Sequence, residues 1–283
     1  MQTTTLGARL RRALGSMGTQ VFLLLSSVVA LFPIVLVIDN SLKTREAIFL
    51  KPFALPLGDA FSAAGYHKAL TQSNFPLWFA NSLFVTLGAM FLILLLGSMA
   101  AFALSEYKFR GNAFLTLLFL AGMMIPIRLG TVSIMRIAVA LRLINTLWAL
   151  ILVNVASGLP MAVFILQQFF AQVPHDMKDA ARIDGASEYR IYALVLPVVK
   201  PAVATVAIYS VIPVWNDLWF PLILTSGNST KTLTLGVQQF VGQYSIDWGA
   251  ILSSMSLAIV PVLVIYVLFS REFVSGLTAG SIK

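Results

Sequence analysis

A chain of 283 residues in which 59% are hydrophobic and 11% charged, with a mean hydropathy of +0.90, lies far from soluble proteins, where charged residues make up roughly 25%; this is the composition of a polytopic membrane protein. A formal net charge of +8 could suggest a nucleic-acid partner, but the basic residues are scattered between apolar runs and form no stripe, so the membrane surface accounts for them better. The absence of cysteine excludes a disulfide framework, a thiolate metal site and a cysteine nucleophile.

Arg9, Arg11 and Arg12 precede an apolar run over 21–38. That run exceeds the roughly 7–15 residues of a signal-peptide core and is followed by the polar Asp39-Asn40-Ser41 rather than by a cleavage site. It reads as a first spanning helix, bent at Pro33. Five more runs, at 77–104, 113–134, 147–169, 199–224 and 250–269, each approach or exceed the roughly 20 residues a bilayer requires. The expected fold is all-α, with six transmembrane helices. It divides into an N-terminal segment (1–20), a membrane domain (21–270) containing a polar loop (174–201), and a C-terminal tail (271–283). With both termini in the cytoplasm, eleven of the 19 Lys and Arg residues fall inside, a bias that favours this orientation.

Between the first two spans, residues 39–76 form a long external segment with helical potential from Phe61 to Leu70. The second span carries Gly88, Gly97, Ser98, Ala100 and Ala101, small side chains that let helices approach closely. In the third, Ile125-Pro126-Ile127-Arg128-Leu129-Gly130 should break or end the helix. Arg128 and Arg136 then lie near the outer face and reach toward headgroups, a ligand contact being the other reading. Asn154, Ser157, Gly158 and Pro160 in the fourth span should face protein or a water-filled path. For Asn154, an ordinary interhelical hydrogen bond is the other reading.

The segment 174–201 is the one long polar stretch. Met177, Ala180, Ala181 and Asp184 fall on one narrow face of a short helix that starts near Pro174. Gly185 can take the positive φ that ends it. Asp184 or Ser187 can cap a second helix, which carries Ile191, Leu194, Val195 and Val198 on one side. Beyond it, the fifth span holds Tyr209, Trp215, Asn216, Asp217 and Trp219 between Pro213 and Pro221. A carboxylate at the centre of a span costs about 2.5–3.5 kcal/mol, so Asp217 should be interfacial, neutral, paired or facing an aqueous cavity. Aromatic faces beside hydrogen-bonding groups suit sugar rings; an interfacial aromatic belt with Asp217 solvated is the alternative.

Asp179-Ala180-Ala181, Asp184-Gly185-Ala186 and Leu196-Pro197 resemble the EAA signature of membrane subunits in bacterial ABC importers, the loop that docks on the ATPase, with Asp179 where Glu is usual. An amphipathic hairpin between spans is the other local reading. The resemblance extends to Asn81-Ser82, Phe102 to Gly111, Asn145-Thr146, Gly158-Leu159-Pro160, Trp215-Asn216-Asp217 and 276–283, and so covers the chain from about Val21 onward. On these residues the chain is similar to the carbohydrate-uptake branch, in particular to the smaller maltose-type permease subunit.

The resemblance implies a type I ABC importer permease fold in the bacterial cytoplasmic membrane. It also implies a coupling helix built on Asp179, Ala180, Ala181, Asp184, Gly185, Ala186, Leu196 and Pro197, and a tail whose Gly280, Ser281 and Lys283 reach the ATPase. Implied partners are a second related permease subunit, two cytoplasmic ATPase subunits that bind ATP and Mg, and an external solute-binding protein. Asn154, Trp215, Asn216 and Asp217 are the candidates for the translocation path of a sugar or sugar-like solute. No cofactor or metal is expected in this chain.

Enzyme chemistry is not visible. Ser226 to Thr232 superficially resembles a phosphate loop but lacks a glycine directly before Lys231. His67 and His175 are too far apart in sequence and topology to form a metal pair. The rival function, an ion-coupled secondary transporter of a small polar solute, would need carboxylates on several spans, and Asp217 is the one acidic residue placed within a span.

Overall fold

The computed structural model of the chain describes residues 6–242 and 246–279. Among these, thirteen α-helices follow one another: α1 (Leu6–Ser41), α2 (Arg45–Leu50), α3 (Ala64–Thr71), α4 (Phe75–Glu106), α5 (Asn112–Met124), α6 (Thr131–Ala140), α7 (Leu147–Phe170), α8 (His175–Ile183), α9 (Glu188–Val195), α10 (Lys200–Trp215), α11 (Trp219–Leu224), α12 (Leu233–Val237) and α13 (Trp248–Ala279). Four of them are long and apolar enough to cross a bilayer: α1 over Met17–Ser41, α4, α7, and α13 over Trp248–Phe269. Two bent pairs bring the number to six if each pair is taken as one span.

The first helix runs through Pro33 without interruption and begins well before residue 21. The third expected span breaks at Pro126, as its sequence predicts, and in the fifth the first helix ends at Trp215, short of residue 224. In the third, α5 stops at Met124, and the helical stretch after it turns by 90°. Pro126 forces its predecessor out of the helical region, and Ile125 is extended at φ −89°, ψ 115°. The 13 residues of α5 rise about 20 Å at 1.5 Å each, short of the roughly 30 Å hydrocarbon layer. In the fifth, α9 and α10 meet at 79°, and α10 ends at Trp215. Asp217 therefore lies at a helix break and not inside a helix. Its Oδ1 accepts from the Trp219 and Phe220 amides at 3.0 and 3.5 Å, and this local acceptor competes with continued helix.

The chain forms two compact units, one comprising residues up to Ser73 together with Phe240–Leu257, the other Asn74–Gln239 together with the chain from Ala258. The second is built on α4 against α7. Ala89, Ile93, Gly97 and Ala101, four residues apart along α4, are all buried. A Cβ on Gly97 would lie 2.9 Å from that of Ala162, and one on Gly158 would lie 2.5 Å from Ile93 Cδ1. Contact this close is what small residues provide in lipid, where apolar surface by itself gives helices no reason to associate. Beyond the start of α4 the connections are clamped by amides and a hydroxyl. Asn81 donates to the carbonyls of Ser229 and Lys231 at 2.8 and 2.9 Å, and Ser82 Oγ accepts from the Leu233 amide at 2.8 Å. Asn145 Oδ1 accepts from the amides of Ser226 and Gly227.

In the other unit, α3 begins at Ala64 rather than at Phe61. Its Lys68 pairs with Asp247. Burial alone would raise the Asp247 carboxyl, but Lys68 and the Ala250 amide outweigh it and hold the group below its usual value.

Candidate functional site

The turn between α8 and α9 closes as a Schellman motif. Gly185 sits at φ +77°, its amide donates to Arg182 O at 3.0 Å, and the Ala186 amide donates to Ala181 O at 2.9 Å. Ala181 and Ala186, the pair that accompanies such a motif, both pack against the core. Ser187 occupies the N-cap position of α9 in an extended conformation without a side-chain cap. The apolar side expected for the second helix is narrower in the structure: Ile191 and Val195 are buried, whereas Leu194 and, beyond the end of α9, Val198 are exposed.

The face of α8 differs from its expected position in the same way. Met177 and Ala181 turn inward against the core. Asp179, Ala180, Asp184 and Gly185 are exposed, and Ile183, an apolar side chain, is 86% exposed. Leu196 and Pro197 lie in the turn that joins α9 to α10. Gly280, Ser281 and Lys283 lie outside the described residues.

An ion-pair network that sequence reasoning missed holds this helix–turn–helix in place. Glu106, the last residue of α4, is buried and pairs with Lys178, itself buried, and with Arg182 Nη2 at 2.7 Å. Arg182 also reaches Asp179 at 2.9 Å and Glu188 at 3.1 Å. Tyr107 donates to Glu188 Oε2 at 2.5 Å. The hydrogen bonds to Glu188 and Glu106 push Arg182 still further above its usual value. Burial, together with the Glu188 carboxylate, pushes the Tyr107 phenol up to about 12. Three rings, Tyr107, Phe170 and Tyr192, pack edge-on around Phe102 behind the network. The one signal in the sequence was the spacing of Lys178 and Arg182, i and i+4 on one helix face, where two cations repel unless a carboxylate lies near both; it did not indicate which carboxylate.

The same unit contains a cleft of about 650 Å³ between α5, α7 and α10 and the break at Pro126, lined in part by Asn154, Ser157, Tyr209 and Ser210. Pro126 at the helix break and Gly158 and Pro160 within the continuous α7 also line it, so it joins a mostly apolar wall to a few convergent polar groups. Of the four path candidates, Asn154 lines the cleft, and its Nδ2 donates to Leu150 O at 2.9 Å. Trp215 is buried, and its Nε1 donates to Ala258 O at 3.2 Å. Asn216 Nδ2 donates back to Ile212 O. Asp217 heads α11. The guanidinium of Arg128 lies 5.9 Å from the centre of the Trp219 ring, and the indole Nε1 donates to Thr131 at 3.0 Å. Among the described residues no group of His, Cys, Asp and Glu could hold a metal ion.

The chain is 34% identical over 264 residues to the diacetylchitobiose uptake system permease protein NgcG of Streptomyces coelicolor, covering 92% of this chain and 87% of that protein. It is also 34% identical over 207 residues to the arabinooligosaccharides transport system permease protein AraQ of Halalkalibacterium halodurans, covering 73% and 74%. Its fold matches, at a TM-score of 0.78 and 18% identity, a chain of a bacterial ABC transporter involved in the import of the acidic polysaccharide alginate, over 96% of this chain and 100% of that one. Residues 93–273, which include the cleft and the clamped helix–turn–helix, match the model of the binding-protein-dependent transport system inner membrane component. By that match and these relatives, the chain is a multi-pass membrane permease of the binding-protein-dependent transport system inner membrane component family.

Proposed function

We propose that this permease forms half of the path for a sugar or sugar-like solute, and that ATP hydrolysed on two partner subunits drives import through it. The observation that carries the reading is the exposed knob at Ile183, presented on a turn that Glu106, Lys178 and Arg182 tie rigidly to the end of α4. A docking element that is both exposed and internally clamped can pass a push from a soluble partner to the spans it is tied to. The sugar class rests on the relatives named for diacetylchitobiose and arabinooligosaccharide transport and on a cleft that offers hydroxyls and an amide rather than charges.

In this reading α8 is the coupling helix and both termini are cytoplasmic. The tail residues Gly280, Ser281 and Lys283 approach the ATPase, which binds ATP and Mg. A second permease supplies the other half of the path, and an external binding protein delivers the solute. The ion-coupled alternative finds no support in the family match.

The test is copurification and uptake. Ile183→Asp should abolish association with the ATPase subunits while the permease still inserts. The unaltered complex in vesicles should show ATP-dependent uptake of at least one member of a panel of mono-, di- and oligosaccharides. Full ATPase association with Ile183→Asp would remove the docking role. Failure of every sugar to stimulate ATP hydrolysis in the presence of the binding protein would remove the sugar class.

A further inference from the structure

We propose that residues 49–57 form an interfacial anchor that inserts into the phospholipid leaflet around the C-terminal end of α1, the outer leaflet in the orientation proposed above. The stretch is tied to the last turn of α1 by a buried lysine. Lys43 pairs with Asp39 and donates to Asn40 Oδ1 at 3.2 Å and to the carbonyls of Lys51 and Pro52 at 3.2 and 2.9 Å. Asn40 Nδ2 reaches the same Pro52 carbonyl at 3.0 Å. The chain after Pro52 therefore does not rise away from the helix end but turns back along it.

Its depth is marked by a ring pair. Phe53 stacks on Phe32 with centroids 6.2 Å apart and planes 18° apart. Phe32 lies nine residues before Ser41, about 13 Å down the helix axis at 1.5 Å per residue, on a spanning stretch whose apolar window has no buried residue. Phe53 is thus laid against the flank of a span, continuous with apolar surface that the rest of the chain leaves uncovered.

The residues that follow extend this surface. Phe53, Leu55 and Leu57 are each at least 70% exposed, and no charge occurs from Pro52 to Leu57. In α2, Phe49 meets Trp248, the first residue of α13, edge-on at 6.0 Å, so the stretch lies beside the end of a second span. Tryptophan at such a position marks a membrane interface. Arg45 and Lys51 are exposed at its border, placed to meet headgroup phosphates while the apolar groups sink below them.

The chain contains no cysteine, so single introduced thiols report one position each. Phe53→Cys, Leu55→Cys and Leu57→Cys, with Asp59→Cys as reference, would be spin-labelled in the assembled transporter in phospholipid vesicles, its partner subunits made cysteine-free. Collision rates with oxygen and with a water-soluble nickel chelate then give the depth of each label. The expected result is oxygen-dominated contact at 53, 55 and 57, about 5–10 Å below the phosphates, and nickel-dominated contact at 59. Nickel contact at the three positions equal to that at 59 would place the stretch in water. Shielding from both reagents would place it under protein, the neighbouring permease included. Either result overturns the proposal, and neither depends on which solute is carried.

Discussion

At Gly185 the constraint acts on the backbone. With φ at +77°, a β-branched side chain would meet the following carbonyl at about 1–2 kcal/mol, although open space surrounds the position. Gly185→Val should therefore leave insertion intact but distort the turn, lowering ATP-dependent uptake and ATPase copurification together; unchanged values for both would show that the turn tolerates another geometry. Glu106 tests the network behind it. Glu106→Gln leaves Lys178 buried without its counter-charge, a loss of about 3 kcal/mol, at the lower end for a broken buried pair because the cluster opens to water at Arg182. A markedly lower Tm is expected, and adding Lys178→Met should recover most of it. If the double variant is no more stable than the single one, the two charges are not coupled.

At the scale of elements, the breaks matter more than the helices. Asp217 supplies the acceptor that starts α11 after α10 has ended, and loss of such a cap costs about 0.5–2 kcal/mol. Asp217→Asn keeps an oxygen in place, whereas Asp217→Leu removes it, so Tm and yield should be near normal for Asn and reduced for Leu. Equal behaviour of the two would mean that the capping bonds contribute nothing measurable. The break at Pro126 acts differently, by removing a backbone donor and turning the chain through 90°, and it leaves the space into which Asn154 and Ser157 look.

For the whole permease the question is whether that space is the path. Ser157→Trp would fill part of a cleft of about 650 Å³ far in sequence from the α8–α9 turn. Uptake should fall about tenfold, the equivalent of 1.4 kcal/mol, while ATPase subunits copurify in normal amounts. Uptake at the unaltered rate would assign the cleft to packing or lipid.

Composition and run length alone determined that the chain is helical and crosses the membrane, because a bilayer accepts few other backbones. Gly185 and Pro126 were equally legible, since their effect on φ and ψ is local and owes nothing to neighbours. The faces were not. Met177 and Ala181 turned inward while Ala180 and Ile183 turned out, because packing against the core decides the rotation of a short helix and its periodicity does not. Glu106 meets Lys178 across 72 residues of chain, a pairing that no local pattern encodes. Trp215 and Asn154 looked alike in sequence as polar-edged residues within spans. Only the tertiary structure separated them, closing one into the core and leaving the other at the cleft, because in lipid the approach of neighbouring helices decides which side of a span is covered.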